Sequence, residues 1–332
     1  MFPRSTIGLA FVLLAATTRL TAGEPAPPVV LAKIDPTFRD VEFLAADRAE
    51  KMDVYLPADG KELRPAVVVI HGGGWSGGKK IWGYPVEFAK RAVPAGYAVF
   101  CPDYQLNVFE EVEGKKVSKL KGAPRNIQDC MDAVSFVRLN AAKYGVDPDR
   151  IALAGDSAGG HLAMLTAYGA GSDSLGQGRR YSEIKPTVRC IVDFYGISDL
   201  ETFPSWGAWT FVRNEKDPEE VKKPLLQLYS PVTYIGAGSP PTLIVHGKND
   251  PGVTWKQSEE LAGRLTAASV PFEFITLERA TKHAFNFDSD EVDLTRRTLD
   301  FLDRYLKEGG KPSAPGPAEK GGSTSAGGGS AP

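Results

Sequence analysis

Three features that often direct a functional interpretation are scarce in this chain of 332 residues: cysteine, histidine and an excess of one sign of charge. There are 3 cysteines and 4 histidines. An odd, small number of cysteines excludes a disulfide-stapled scaffold, and Cys101, Cys130 and Cys190 lie in apolar patterns typical of buried core residues. The 39 lysines and arginines nearly balance 41 aspartates and glutamates. Charge therefore gives no reason to expect nucleic acid or an acidic membrane as a partner.

Long hydrophobic runs are also lacking, and the chain offers one stretch of 10 apolar residues near its start, "IGLAFVLLAA". That run is too short to span a bilayer, follows the positively charged "MFPR" and precedes the small residues "TAG". This layout predicts a secretory signal over residues 1–23, cleavage near Gly23, and export to the periplasm or the medium. A buried N-terminal helix and a retained anchor are the alternatives. Pro25, Pro27 and Pro28 follow at once and disfavour the helix.

Large apolar side chains are almost absent from 309–332, a glycine-, proline- and serine-rich stretch. Such a segment cannot bury enough surface to offset the entropy of ordering, so we expect a disordered tail. Residues 24–36 are interpreted as a linker. The remaining 37–308 can form one large α/β domain with a sizeable core, and no internal repeat is visible in it.

Within 37–308, apolar runs alternate with helical patterns. "DVEFLA" and "MDVYLP" are expected to be early antiparallel strands. Later runs are continuous and rich in β-branched residues, as in strands covered on both faces: 66–70, 97–101, 151–155, 190–195, 242–247 and 272–277. The pattern predicts a mainly parallel, doubly wound sheet whose functional residues lie at the carboxyl ends of the strands.

Two segments interrupt this alternation. Residues 196–241 are too long for a plain crossover, contain Trp206 and Trp209, and are interpreted as a small insertion that forms a partial lid. Residues 110–122 are lysine-rich and are interpreted as a solvated excursion.

The sequence "GDSAGGH" at 155–161 stands where a strand pattern gives way to a helical one. G-x-S-x-G at such a turn lets a serine adopt a strained backbone at the tip, because its neighbours two positions away lack side chains that would clash. Ser157 is therefore the candidate nucleophile, rather than a chance serine in a glycine-rich turn.

A serine hydroxyl needs a base to accept its proton. His71 and His246 end strands in glycine-rich turns, and His161 lies one turn into the helix after the serine. His283 follows the last predicted strand, in a loop at the carboxyl edge. It is the candidate base.

An acid must hold that imidazole in one tautomer. Asp250, in "HGKNDPGV", follows a strand and stands between the serine and the histidine in chain order. Its rivals are Asp193, inside a strand, Asp199, before the insertion, and Asp288, close to the histidine in sequence.

Backbone N–H groups for an oxyanion are offered by "VVVIHGGGW", where three glycines follow a strand. Gly73 and Gly74, together with the N–H of Ala158, are the candidate oxyanion hole. His71 is interpreted as a structural partner of this loop.

"HGGGW", "GDSAGGHLA", "HGKNDPGV" and "KHAF", in this order, resemble the α/β-hydrolases of the microbial esterase group. That group includes hormone-sensitive-lipase-like carboxylesterases and acetylxylan and feruloyl esterase-like enzymes. The resemblance covers about 37–308 and implies the α/β-hydrolase fold and a Ser-His-Asp esterase that needs no cofactor or metal. "KHAF" replaces the usual Gly-His-Gly-Phe, and "DYQLN" stands where relatives have a Tyr-Arg-Leu run.

The expected substrate is a small-molecule or carbohydrate ester with a short, acetyl-type acyl group, because only the insertion could form a lid. Five aromatic residues are candidates for the pocket rim, with core positions as the alternative: Trp75, Tyr104, Trp206, Trp209 and Phe285. A prolyl-peptidase-like amide hydrolase and a binding protein that lost its chemistry are the other functions considered.

Overall fold

A computed structural model describes residues 32–58, 62–112, 115–203, 211 and 218–309. These described residues form ten strands, and eight of the strands build the central sheet. The order across it is β1-β2-β4-β3-β7-β8-β9-β10, and β5 pairs only with β6. The strands are β1 (Phe38–Val41), β2 (Met52–Tyr55), β3 (Arg64–Ile70), β4 (Ala98–Pro102), β5 (Val108–Val112), β6 (Lys115–Leu120), β7 (Val146–Asp156), β8 (Ile191–Phe194), β9 (Thr242–Gly247) and β10 (Phe272–Leu277).

The pairing confirms the mainly parallel, doubly wound sheet. β2 runs antiparallel to both β1 and β4, and every later pair in the sheet is parallel. β1 begins at Phe38, slightly before the predicted "DVEFLA", and Phe43 and Leu44 from that run are buried in the core instead. All six continuous apolar runs became strands; those of β3, β4, β8 and β9 are almost fully buried, whereas the edge strand β10 is mainly half-buried.

Helices cover both faces of the sheet. The described helices are α1 (Tyr84–Ala92), α2 (Arg125–Leu139), α3 (Ala141–Tyr144), α4 (Ala158–Tyr168), α5 (Asp173–Gly176), α6 (Glu219–Leu228), α7 (Lys256–Ala267) and α8 (Leu294–Leu306), with a 3-10 turn at Pro231–Tyr234. One core cluster joins alternate residues of β3 to α2, α4 and α7, and the other joins the intervening residues of β3 to α1 and α8. This alternation explains why β3 is apolar without a break.

Residues 110–122, interpreted as a solvated excursion, overlap two short strands, β5 and β6. β5 and β6 form an antiparallel hairpin in which Val108 lies opposite Leu120. Both of these side chains, and that of Val112, are largely exposed. The two strands pair only with each other, and the described side chains of β5 are exposed.

The three cysteines are buried and unpaired, as the sequence predicted. In the described part of the chain, no helix has the length and apolar character needed to cross a membrane. The predicted signal segment, 1–23, lies wholly outside the described residues, as does the tail beyond Gly309.

Candidate active site

Ser157 occupies a sharp turn between β7 and α4. Its backbone has φ 52° and ψ −122°, a conformation that costs energy in any residue with a side chain. A Cβ on Gly155 would collide with the carbonyl of Gly159, and a Cβ on Gly159 would collide with the carbonyl of Ile70. Glycine is therefore required on both sides of the serine, and the G-x-S-x-G turn has the geometry that the sequence predicted.

The residues assigned from sequence as base and acid meet at this turn. The Nε2 atom of His283 lies 2.9 Å from the Ser157 Oγ. The Nδ1 atom of His283 lies 2.8 Å and 3.0 Å from the two carboxylate oxygens of Asp250. The Asp250 side chain is fully buried, whereas that of His283 is 27% exposed. The three residues form one continuous hydrogen-bonded chain from a buried anion to a half-buried hydroxyl.

Asp250 is held in its ionised form. Burial acts to raise its pKa, but the hydrogen bond from His283 and the backbone N–H groups of Val253 and Gly252 outweigh burial, so the pKa is lowered. Those two N–H groups donate to Oδ1 at 3.0 Å and 2.7 Å. A carboxylate fixed in this way keeps the proton of His283 on Nδ1 and leaves Nε2 free to accept from Ser157.

The rival acids lie elsewhere. Asp193 is fully buried inside β8, and Asp199 accepts hydrogen bonds from the Glu201 N–H and the Ser230 hydroxyl. Asp288 is exposed. No hydrogen bond joins any of these three described side chains to His283.

The ring nitrogens of the other three histidines make no hydrogen bond to Ser157. His71 stacks on the ring of Tyr104 at 4.3 Å between centroids, and its Nδ1 lies 2.7 Å from the Gly72 carbonyl. His246 is bonded to the Ser258 hydroxyl and the Val253 carbonyl, behind the Asp250 loop. Burial lowers the pKa of each of them, and of His161, to about 4. All three rings are therefore neutral at ordinary pH.

The glycine loop after β3 supplies unused donors beside Ser157. In the described structure, the N–H groups of Gly73, Gly74 and Ala158 donate no hydrogen bond. The preceding N–H, of Gly72, donates to Asp156 Oδ1 at 2.7 Å and so fastens the loop to the residue before the nucleophile. Free backbone N–H groups of this kind are what an oxyanion hole requires.

The assignment of aromatic side chains to the pocket rim was wrong for the three that are described. Trp75 and Tyr104 are each 1% exposed and Phe285 is 7% exposed. Tyr104 donates to the His71 carbonyl, and Phe285 packs against Tyr195. Proximity to a motif in sequence does not say which way a ring points, and these rings point into the core. Trp206 and Trp209 lie outside the described residues.

Sequence reasoning missed three residues that contact this site. Asp156 anchors the glycine loop, His161 accepts from the Trp75 indole, and Tyr195 packs edge-on against the His283 ring at 4.9 Å between centroids. Asp156 and His161 stand inside the quoted "GDSAGGH", so their position was a signal. Nothing in the sequence marks Tyr195.

Other candidate sites are separate from this one. A cavity of about 540 Å³ opens near the far end of α4, beside Arg179 and Lys185, and no residue of the Ser157 site lines it. Across the described ranges, no group of three or more histidine, cysteine, aspartate or glutamate side chains could hold a metal ion.

Comparison with known proteins shows that this chain is similar to esterases. The BD-FAE family model matches residues 52–265, more than half of the chain, and includes Ser157 and Asp250. The esterase LipQ of Mycobacterium tuberculosis is 27% identical over 267 residues, which cover 74% of this chain and 57% of LipQ. The Arabidopsis thaliana isoprenylcysteine alpha-carbonyl methylesterase ICME is 27% identical over 239 residues, 68% of this chain and 52% of ICME. The chain thus spans little more than half the length of these curated relatives.

Solved structures establish the fold. A truncated carbohydrate esterase from gut microbiota aligns with a TM-score of 0.69 at 24% identity, over 80% of this chain and 95% of that one. The butyrate-bound esterase 2 of Thermogutta terrifontis aligns with a TM-score of 0.63 at 26% identity, over 81% and 92%. The mainly parallel sheet, covered by helices on both faces, is the α/β-hydrolase fold.

Proposed function

The chain belongs to the BD-FAE family, and on that premise we propose that it is a serine hydrolase of carboxylic esters with short acyl groups. The observation that carries the proposal is the hydrogen-bonded chain from Asp250 through His283 to Ser157 Oγ, with 2.8 Å and 2.9 Å at its two links. The unpartnered backbone N–H groups of Gly73, Gly74 and Ala158 support the proposal as donors to the oxyanion of acyl transfer.

The first half-reaction forms an acyl-enzyme. Ser157 Oγ attacks the ester carbonyl carbon as its proton passes to His283 Nε2, and Asp250 stabilises the resulting imidazolium. The carbonyl oxygen becomes an anion and accepts hydrogen bonds from the N–H groups of Gly73, Gly74 and Ala158. The tetrahedral intermediate then collapses: the bond to the alcohol oxygen breaks, and the imidazolium gives its proton to that oxygen.

The second half-reaction repeats these steps with water. His283 removes a proton from the water molecule as the water oxygen attacks the acyl carbon, and the same N–H groups bind the oxyanion. When the bond to Ser157 Oγ breaks, His283 returns the proton to it, and the carboxylic acid leaves.

Short acyl groups are favoured by two considerations. The T. terrifontis esterase is described with butyrate bound, a four-carbon acid. In this chain the aromatic residues next to the glycine loop fill the core instead of lining a groove for an extended chain. On the alcohol side, a carbohydrate is the class that the sequence resemblance implied.

The test is a hydrolysis panel of p-nitrophenyl esters from acetyl to palmitoyl, run beside acetylated xylan, a feruloyl ester and an aminoacyl amide. We expect kcat/KM to be highest for acetyl to butyryl esters and to fall steeply by decanoyl. Ser157→Ala, which keeps the turn and removes the nucleophile, is the matched control and should leave only background rates. Activity that rises with acyl length would contradict the short-acyl proposal, and a preference for the amide would favour a peptidase.

A further inference from the structure

The glycine loop is held in an unfavourable backbone conformation. Gly73, Gly74 and Trp75 have φ values of 121°, 58° and 57° in succession. Glycine adopts such angles freely, but a tryptophan pays in steric strain on the order of 1 kcal/mol or more. Trp75 therefore needs contacts that keep it there, since relaxing its backbone would move the adjoining N–H groups of Gly74 and Gly73.

Two neighbours supply these contacts. Asn107 binds the Trp75 carbonyl through its backbone N–H at 2.8 Å and its side-chain amide at 3.1 Å. His161, one turn into α4, accepts the Trp75 indole N–H on Nδ1 at 3.2 Å. The backbone N–H of His161 also donates to the Ser157 carbonyl at 3.0 Å, so this histidine belongs to the first turn of the nucleophile helix.

The protonation of His161 follows from its partners. Nδ1 must be unprotonated to accept from the indole, so the proton is on Nε2, which lies 2.8 Å from the Tyr229 carbonyl and donates to it. The ring is fully buried and faces Phe211 as well as Trp75. A single neutral imidazole therefore joins the glycine loop, the nucleophile helix and the end of α6 in the 196–241 insertion.

We propose that His161 is a positioning residue for the oxyanion hole: its bond to the Trp75 indole holds the glycine loop in its left-handed conformation, with the N–H groups of Gly73 and Gly74 aimed beside Ser157. This inference rests on the proposed esterase function. His161 touches no reacting atom, and its effect falls on the transition state, where the oxyanion exists, and not on substrate binding.

Substitutions can distinguish the roles of the two ring nitrogens of His161. An asparagine side chain places an acceptor near the position of Nδ1, whereas a glutamine places a donor near that of Nε2. His161→Asn keeps an acceptor for Trp75, His161→Gln keeps the donor to Tyr229, and His161→Leu keeps neither. Trp75→Phe removes the indole N–H from the other side and retains an aromatic ring.

The experiment measures kcat and KM on p-nitrophenyl acetate, with inhibition by a methyl trifluoromethyl ketone, which forms an oxyanion when Ser157 adds to it. For His161→Leu, His161→Gln and Trp75→Phe we expect kcat to fall roughly 10- to 100-fold and the inhibition constant to rise in parallel, with KM within about threefold. His161→Asn should stay within about fivefold of the wild type. The Trp75→Phe/His161→Leu double variant should lose little more than either single variant, because both lack the same bond.

Thr166→Val is the matched control, since Thr166 is buried on the same helix and its described hydroxyl has no partner. It should leave kcat unchanged. A loss in this control equal to that of His161→Leu would overturn the proposal in favour of general packing of α4. Retained activity in His161→Gln with loss in His161→Asn would overturn it in favour of the tie to Tyr229. If His161→Leu fails to fold by circular dichroism, Trp75→Phe decides. Absence of turnover in the wild type would contradict the proposed function itself.

Discussion

At the scale of the single residue, the proposed mechanism depends on how the buried carboxylate of Asp250 orients the His283 ring beside Ser157. Asp250→Asn retains the size of that side chain but replaces an acceptor with a donor beside His283 Nδ1, which favours the wrong tautomer. We expect kcat for a short ester to fall on the order of 10⁴-fold with a smaller change in KM. Steady-state kinetics on folded protein checks this result.

The rival acids Asp288 and Asp199 provide the controls for the Asp250→Asn prediction. Asp288 is exposed and makes no described contact with His283, so Asp288→Asn should change kcat by less than roughly tenfold. Asp199→Asn should also change kcat by less than roughly tenfold. Its stability is checked separately, because Asp199 accepts a hydrogen bond from the Ser230 hydroxyl. A nearly fully active Asp250→Asn beside an inactive rival variant would refute the assignment of the acid and leave the nucleophile untouched.

The buried carboxyl group of Asp193 leads us to predict that the stability of the fold depends on pH. Burial raises its pKa to about 8, and the nearby Gly196 N–H lowers it only in part. An unfolded aspartate ionises near pH 4. Between these two values the folded protein holds a proton that the unfolded chain releases, so this group makes stability fall as pH rises from about 4 to 8. Asp193→Asn removes that group, and its melting temperature should fall several degrees less between pH 5 and pH 8 than that of the wild type.

Thermal unfolding followed by circular dichroism at both pH values measures the difference. The comparison of slopes is independent of any constant cost of the asparagine amide. Asp156, whose pKa burial raises to about 7, contributes in the same direction and remains in both proteins. Equal slopes in variant and wild type would show that Asp193 is ionised in the folded protein.

At the scale of the element, the turn from β7 to α4 tolerates no added methyl group. A Cβ on Gly159 would collide with the backbone of Ile70 and His71 in the adjoining strand. Backbone cannot move aside as a side chain can, so Gly159→Ala should lower the melting temperature strongly or prevent folding. Gly263→Ala is the matched control: Gly263 lies inside α7 with open space where its Cβ would be, and alanine should stabilise it by up to about 1 kcal/mol.

Elements were predictable from sequence where local pattern and tertiary environment agree. β9 coincides with the predicted apolar run 242–247, and a helical pattern between two predicted strands became α2 and α3, which Gly145 closes in the left-handed conformation. The catalytic candidates were predictable because strand ends and chain order determine which residues reach one edge of the sheet. The hairpin at Val108–Leu120 was not, since the described side chains of β5 are exposed and give no buried apolar pattern.

Side-chain direction is what the sequence could not supply. Trp75 and Tyr104 follow strands at the edge that carries Ser157, so an exposed rim was a reasonable prediction. The left-handed backbone at Trp75 turns its ring inward to meet His161, which lies 86 positions later in the chain. Such a contact depends on two distant segments at once, and no local pattern encodes it.

At the scale of the whole molecule, the three cysteines make a prediction about redox conditions. All are buried and unpaired, and burial raises the pKa of each thiol. We expect the native protein to resist alkylation by iodoacetamide, with three thiols becoming reactive after denaturation, and its melting temperature to be unchanged by reductant. A mass of two hydrogens less in the oxidised protein, or a lower melting temperature with reductant, would reveal a disulfide that this fold does not contain.

The last prediction concerns the two terminal segments, residues 1–23 and 311–332. We propose that the protein is exported and that the exported form begins near Glu24, because a positively charged start, an apolar run of 10 residues and "TAG" precede that position. Intact-mass analysis of protein from the periplasm or the medium measures the cleavage, and a mass that includes residues 1–23 would exclude it.

Deletion of 311–332 tests the other end: the segment has almost no large apolar side chain, so the melting temperature should change by no more than about 2 °C. A larger drop would mean that the tail docks on the hydrolase domain, and kcat of the deletion variant on p-nitrophenyl acetate would then show whether it docks near Ser157.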